Sequence, residues 1–275
     1  MMKTMEIISA RRSVRTFSGE PLKEEDARKI LTFAEKAENP YHLPITWVLL
    51  DREKTGLSSP VIVGEDRYIA GKMLRAPHAE EAFGYSFEKI VLYAQSLGVG
   101  TTWIAGTMDR ASFENAVGLA PDEVMPCVSP LGYPAKKMSL RESMMRRGVK
   151  ADSRLPFNEL FFKGSFNRSA SFEEAGKWRE ALDAVRLAPS AVNKQPWRAV
   201  ICGDRVHFYE KRSKMRPDDE WDIQKIDMGI ALCHFALVAG ECGRQVSFRL
   251  EDPGLSEDAN MIYIATYTDE DNAAE

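Results

Sequence analysis

Apolar residues recur along the chain with two different periods. Ala27, Ile30, Leu31 and Ala34 fall at i, i+3, i+4 and i+7, and Phe87, Ile90, Val91 and Ala94 repeat that spacing. Ala175, Trp178, Leu182 and Val185 follow it more loosely. Such spacing places one apolar stripe on an α-helix. Four β-rich runs predict strands: Ile45 to Leu50, Arg198 to Cys202, Val206 to Tyr209 and Met261 to Thr268, the last two preceded by turn residues. The arginine-rich stretch from Ser139 to Arg154 has no clear period and follows a Gly-Tyr-Pro turn, so it is expected to be a connection between two halves.

The same pattern contains an internal repeat. Arg12-Ser13 is echoed by Arg168-Ser169 at an offset of 156, and Pro44 by Pro196 at 152. Gly84 and Gly98, at either end of one predicted helix, are echoed by Gly229 and Gly243, both at 145. The matches keep their order and the offset only shrinks, as small insertions and deletions in a diverged duplication would make it do.

Composition narrows the function classes. The 275 residues are 44% hydrophobic and 28% charged, close to globular averages, which excludes disordered and fibrous chains. Net charge is 37 − 41 = −4, which opposes a nucleic-acid partner, because such affinity depends on neutralising phosphates with Lys and Arg. Cys127, Cys202, Cys233 and Cys242 have neither CxxC spacing nor the density of a disulfide scaffold, so a reducing cytoplasm is expected. The N-terminus has no apolar signal core. The uncharged stretch around Cys233, between Asp227 and Glu241, is too short to span a bilayer, so no membrane partner is expected.

Three segments concentrate polar chemistry. Arg11-Arg12-Ser13-Val14-Arg15 puts three guanidiniums and a hydroxyl within five residues, a donor array suited to phosphate oxygens or, alone, simply a solvated basic face. Leu187 to Trp197, reading LAPSAVNKQPW, is a loop with two prolines that presents Ser, Asn and Gln at fixed positions, suited to a planar heterocycle. Leu97 to Gly106, reading LGVGTTWIAG, ends a helix; its first glycines read as caps or sites of close approach. It is not a dinucleotide fingerprint, since Trp103 stands where GxGxxG needs its third glycine. GxxxxGK[ST], HExxH and GxSxG do not occur, and His42, His78, His207 and His234 lack ligand spacing, so no metal site is expected. His234, among apolar neighbours, reads as a core residue.

Together RRSVRTF, APSAVNKQPW and LGVGTTWIAG, with LGYP at Leu131 to Pro134 and SRLPFNELFF from Ser153, resemble the FMN-dependent nitroreductase family. The resemblance covers most of the chain. It implies an α+β fold, an α/β/α sandwich around a central mixed sheet, in a family whose flavin sites are usually built from two subunits. Here the first half keeps the arginine motif but reads Ala37 to Pro44 where PSxNxQP belongs, whereas the second keeps the loop and reads NRSAS at the arginine position. The chain therefore resembles the fused "putative TM nitroreductase" branch, an intramolecular pseudo-dimer with halves at 1–150 and 151–275. One composite flavin site and one degenerate mate are implied.

By the same resemblance Arg11, Arg12, Ser13 and Arg154 would hold the FMN phosphate and ribityl chain. Arg15 would place a cation near N1 and O2 of the flavin, and the backbone N–H groups of Ala105 and Gly106 would face N5. Pro189, Ser190, Ala191 and Asn193 would complete the site; Arg15, Ala105 and Gly106 are the expected catalytic positions. Asp152 and Lys150 precede Arg154 where many relatives have a basic residue closer to that arginine. The implied activity is ping-pong hydride transfer from NADH or NADPH through flavin N5 to a small-molecule acceptor such as a nitroaromatic or quinone, by a cytoplasmic monomer. Same-fold dehydrogenase or dehalogenase chemistry and a non-catalytic flavin-binding protein are the alternatives.

Overall fold

The computed structural model describes residues 3–213 and 222–270. Along the chain these form α1 (Thr4–Ala10), α2 (Glu24–Ala34), β1 (Thr46–Asp51), α3 (Arg52–Thr55), β2 (Arg67–Leu74), α4 (Ala79–Ser96), α5 (Arg110–Ala116), β3 (Glu123–Val124) and β4 (Val128–Leu131). There follow α6 (Leu140–Gly148), α7 (Phe157–Leu160), β5 (Phe161–Lys163), β6 (Ser165–Ser169), α8 (Arg179–Leu187), β7 (Trp197–Cys202), β8 (Arg205–Lys211), α9 (Ile223–Glu241), β9 (Val246–Arg249) and β10 (Met261–Asp269). They group into two compact units: Ala10–Ala151, and the N-terminal segment up to Ser9 with the chain from Asp152 onward. The N-terminal segment thus lies with the C-terminal part, where the Thr4 N–H donates to Glu241 at 2.9 Å, rather than with the first half as the sequence division has it.

In the Ala10–Ala151 unit, β1 pairs antiparallel with β2, and β3 and β4 also pair antiparallel with β2. Trp47 sits opposite Gly71. A Cβ at Gly71 would collide with the Trp47 ring and lie 2.9 Å from Phe83, so the glycine makes room for an aromatic cluster. In that cluster Trp47 meets Phe83 and Phe87 at centroid distances of 5.5 and 5.2 Å, and Trp103 meets Phe87 at 4.7 Å. Each fully buried ring of this kind stabilises by roughly 1.5–3 kcal/mol. Helices α2 and α4 close over it, with Ala27, Ile30, Phe87, Ile90 and Ala94 all buried.

The other unit holds a six-stranded sheet in the order β6-β5-β7-β8-β10-β9. It is mixed, since β5 runs parallel to β7 while the remaining pairs are antiparallel. Its core joins Trp178, Phe208, Phe235 and Tyr267, with Phe235 meeting those rings at 5.4, 5.1 and 5.2 Å. The helix expected from Ala175 starts as a tight 3-10 turn, Gly176–Trp178, before α8. The uncharged stretch around Cys233 belongs to a longer helix, α9, whose 19 residues are long and apolar enough to cross a membrane by composition. That helix is mostly buried inside its own unit, as a helix apolar on all sides must be in a folded core. His234 is a core residue there, its Nδ1 2.8 Å from the Ala184 carbonyl.

The repeated glycines occupy equivalent places. Gly98 and Gly243 both take left-handed backbone, at φ 75° and 78°, a conformation open to glycine without a Cβ clash. After α4 the Gly98 and Val99 N–H groups donate to Gln95 and Ala94; after α9 those of Gly243 and Arg244 donate to Gly240 and Ala239. Both helices thus end in one and the same hydrogen-bonded cap. The stretch expected as a plain connection is corrected: Leu140–Gly148 is helical, and Ser139 caps it by accepting from the Glu142 N–H at 3.1 Å.

Candidate functional site

The arginine segment and the LGVGTTWIAG segment meet within the Ala10–Ala151 unit. Ser13 bridges Thr101 in parallel, and the Val14 N–H donates to the Thr101 carbonyl at 2.9 Å. Gly100 pairs with Gly132 on the other side, and a Cβ at Gly100 would lie 3.0 Å from Val14 and 3.1 Å from Pro134. This close approach, not helix capping, is why Gly100 lacks a side chain. Residues 131–134 of the LGYP turn enter here too, with the Ser18 N–H donating to Tyr133 and Phe17 bridging Pro134.

Arg11 is drawn inward. Its side chain is 5% exposed, and its Nε lies 4.0 Å from the fully buried Glu88 carboxylate. Glu88 also accepts from Trp103 Nε1 at 3.2 Å, so one buried carboxylate stands beside both sequence segments. Arg11 Nε and Nη1 make no hydrogen bond among the described residues, which leaves guanidinium donors that a bound anion can use. Burial lowers the Arg11 pKa; Glu88 opposes the shift and Arg146 reinforces it.

Arg12 and Arg15 are organised by a residue outside the three motifs. Glu142, 1% exposed, accepts from Arg12 Nη1 at 3.1 Å and from the Arg15 backbone N–H at 3.3 Å. Ser139 and Thr16 exchange hydrogen bonds at 3.0 and 3.1 Å beside it. Ser139-x-x-Glu142 has the sequence of a helix capping box, but its Glu reaches the arginine segment instead of the Ser139 N–H. The Arg15 guanidinium is partly buried; desolvation lowers its pKa, Glu142 raises it and Arg146 lowers it. The guanidiniums of Arg11, Arg12 and Arg15 thus gather around two buried carboxylates, Glu88 and Glu142, with Arg146 close enough to act on Arg11 and Arg15. Clustered guanidiniums of this kind suit a phosphate.

At the end of the second segment Ala105 is half-buried and Gly106 exposed, with open space where a Cβ would stand. Arg110 steadies the turn by donating to the carbonyls of Met125, Pro126 and Ala105, at 2.7, 3.2 and 3.5 Å. Ser59 adds a bond to the Thr107 carbonyl at 2.6 Å.

The proline-flanked loop lies in the other unit and is strained. Val192, Asn193 and Gln195 have φ of 45°, 58° and 51°, rare for side-chain-bearing residues and most of all for a β-branched one. Several bonds hold this shape. Ser190 Oγ accepts from the Gln195 N–H at 2.9 Å, Gln195 Oε1 from the Leu155 N–H at 2.8 Å, and the Ala191 N–H donates to both Asp227 oxygens at 3.0 and 3.1 Å. Asn193 Nδ2 donates to the Ser153 carbonyl at 3.1 Å. Arg154 donates to Asn193 Oδ1 at 3.4 Å and to the Leu187 carbonyl at 3.3 Å. Within its own unit Arg154 thus braces the Pro189–Asn193 loop.

Comparison with known proteins fits this arrangement of motifs. A family model described as "Putative TM nitroreductase" matches residues 3–239. The chain belongs to that nitroreductase family. Among solved structures it is similar to a nitroreductase of Thermotoga maritima, at 22% identity and a TM-score of 0.63, over 97% of this chain and 92% of that one. The nitroreductase fold follows from that likeness. Shorter chains also align: a nitroreductase of Desulfovibrio desulfuricans in complex with FMN, at 18% identity and TM-score 0.42, over 52% of this chain and 95% of that one. An FMN-dependent nitroreductase of Clostridium difficile aligns at 16% identity and TM-score 0.41, over 51% and 94%. No curated protein matches. In this nitroreductase-family chain the residues outside the sequence motifs are Glu88, Glu142, Arg146 and Asp227. Only Glu142 had a sequence signal, its capping box; buried carboxylates inside helices otherwise look like solvated charges.

Proposed function

We propose that the chain is an FMN-dependent oxidoreductase. The observation that carries this reading is the buried Arg11 guanidinium, whose Nε and Nη1 have no hydrogen-bond acceptor among the described residues, in a cluster of arginines. Arg11, with Arg12 and Ser13, would hold the phosphate and ribityl chain. When bound, FMN supplies two-electron chemistry, accepting hydride at N5 from NADH or NADPH and passing it to a nitroaromatic or quinone-like acceptor in alternating half-reactions. Arg15 would offer positive charge where reduction leaves negative charge on the ring, which stabilises the reduced form. Glu142 fixes the backbone from which Arg15 extends. The N–H groups of Ala105 and Gly106 would orient the reactive edge of the ring. On the sequence resemblance Pro189, Ser190, Ala191 and Asn193 serve the same flavin, with Arg154 holding their loop in shape. A monomer in the cytoplasm is part of the same proposal.

The test separates retention from rate. Arg11→Ala should weaken FMN binding about 10- to 100-fold, the loss expected for charge-assisted hydrogen bonds of roughly 1.5–3 kcal/mol, while reductive turnover at saturating FMN stays near wild type. Arg15→Ala should do the reverse. Titration of flavin fluorescence and stopped-flow reduction by NAD(P)H read the two quantities. Failure of the wild-type protein to take up FMN at a 1:1 ratio would end the reading.

A further inference from the structure

The loop Ala188–Pro196 contains three left-handed residues in succession of four, yet its sequence has no glycine to accept them. Left-handed backbone costs an L-residue roughly 1–2 kcal/mol, so something outside the loop must determine its shape. Part of the answer is local, in Ser190 and Gln195, and part lies in the Ser153–Leu155 segment. The remaining anchor comes from deep in the core. Asp227, in the second turn of α9, is 3% exposed, and its side chain spends both oxygens on a single N–H, that of Ala191. A carboxyl group buried in this largely apolar helix is costly, and the desolvation raises its pKa well above the ordinary value, with Asp222 and Glu210 adding to the rise and the Ala191 N–H opposing it.

The repeat supplies a comparison for this position. At the offset of 145 that relates Gly84 to Gly229 and Gly98 to Gly243, the counterpart of Asp227 is Ala82, fully buried in α4. The helix built on the same plan thus carries a methyl group at that depth. The loop preceding the first-half strand is held instead by its own Asn39, which accepts from the Tyr41 and Leu43 N–H groups and donates to the Leu43 carbonyl. At this repeat position the acid stands only in α9, beside the loop with the PSAVN motif; α4 buries its own acids elsewhere, at Glu81 and Glu88.

We propose that Asp227 is the positioning residue of the flavin loop: by gripping the Ala191 N–H it holds Ser190, Ala191 and Asn193 in the strained conformation that FMN requires. The inference rests on the proposed assignment of this loop to the flavin, and its test has one arm that does not. Amide hydrogen exchange of the full-length protein, read by mass spectrometry, should show the 188–196 segment exchanging at least tenfold faster in Asp227→Ala, with α8, α9 and β7 as protected as in wild type. Asp227→Asn, which keeps an acceptor of the same shape, should stay within about threefold of wild type. In parallel, Asp227→Ala should bind FMN about tenfold more weakly and Asp227→Asn nearly as well as wild type, both with circular dichroism unchanged. Loss of protection throughout α9 and β7, or wild-type loop exchange in Asp227→Ala, overturns the clamp. Faster loop exchange with unchanged FMN affinity overturns its role in flavin binding. A wild-type protein that takes up no FMN ends the proposed function, while the exchange arm still decides the clamp.

Discussion

Two helix-to-strand loops in this chain descend from one plan and have diverged in opposite directions. Residues 35–45 join α2 to β1 and residues 188–196 join α8 to β7; each ends near a proline, Pro44 or Pro196, that precedes a strand. The first is closed on itself: Asn39, 5% exposed, satisfies the backbone of Tyr41 and Leu43 and reaches Ser86 on α4 at 3.2 Å. Its own Asn organises it, and α4 adds Ser86 and Lys89, the latter donating to the Glu38 carbonyl at 2.9 Å. The second is held from outside, by Asp227, by the Leu155 N–H and by Arg154, and keeps Ser190 and Asn193 at or near the surface. A duplicated fold can thus let a single Asn fold one loop inward, while the other is kept in shape by supports recruited from a helix and a neighbouring segment.

The arginine motifs diverge the other way, and this contrast predicts the largest effect. Arg11 is buried beside Glu88 with donors to spare, whereas Arg168, in the motif that echoes Arg12-Ser13, pairs with Glu174 at 2.9 Å and is well exposed. Exposed pairs of this kind contribute little. Arg11→Ala should therefore lower FMN affinity by about 10- to 100-fold, and Arg168→Ala should leave it within about twofold. Isothermal titration of both variants decides; equal losses would mean that the second motif is not retired.

Glu142 comes next in size. In the Ala10–Ala151 unit α6 covers Arg12–Thr16, with Glu142 on Arg12 and Arg15 and Ser139 on Thr16. Removing a buried acceptor that holds one guanidinium and one backbone N–H should cost roughly 1–3 kcal/mol. Denaturant unfolding of Glu142→Ala should show that loss, and Glu142→Gln, whose single amide oxygen still accepts from one of the two donors, should lose less. A variant as stable as wild type would show that Arg12 and Arg15 find other partners.

Much of this architecture is legible in the chain, and what is not has a common cause. Elements with a clear apolar period or a run of β-formers announce themselves: α2, α4, α8, β1, β7, β8 and β10 all lie where the sequence pattern puts them. Strand β2, RYIAGKML, hides because Ala70, Gly71 and Lys72 interrupt its β-formers. The order of glycines gave the repeat, since a left-handed helix cap tolerates little else. The site is legible only as far as its donors cluster in sequence. Glu88, Glu142 and Asp227 act through burial, and a carboxylate on a helix looks the same in sequence whether it faces water or a guanidinium. The contacts of Arg154 with Leu187 and Asn193 are hidden for a related reason: both residues lie more than thirty positions away.

Asp227 also separates the two units by their response to pH. Burial raises its carboxyl pKa, the Ala191 N–H opposes this, and Asp222 and Glu210 add to the rise. The folded chain then holds that proton to a higher pH than the unfolded chain does, so the contribution to stability falls as pH climbs from roughly 4 toward the raised folded value. Ala82, at the equivalent place in α4, has nothing to titrate. Melting temperatures of wild type and Asp227→Asn should diverge in favour of the variant as pH rises from acid to neutral. Parallel curves would mean that Asp227 titrates as an ordinary carboxylate.

The smallest effect tests whether strain itself distinguishes the two loops. Both contain left-handed residues, His42 at φ 56° in the first and Val192 at φ 45° in the second, and both side chains are exposed, Val192 to 64%. Replacing either by glycine therefore removes little packing. It relieves roughly 1–2 kcal/mol of backbone strain and gives back roughly 0.5–1 through the greater freedom of glycine in the unfolded chain. Each variant should be more stable by about 0.5 kcal/mol, a rise of a degree or two in melting temperature. Function should part them: His42→Gly should leave FMN affinity unchanged, whereas Val192→Gly, by freeing the segment that Ser190 and Asn193 share, should weaken it by about two- to threefold. If both variants gain stability and neither changes affinity, strain is only the geometry of a short helix-to-strand connection, and the work of holding the flavin loop falls to its hydrogen bonds alone.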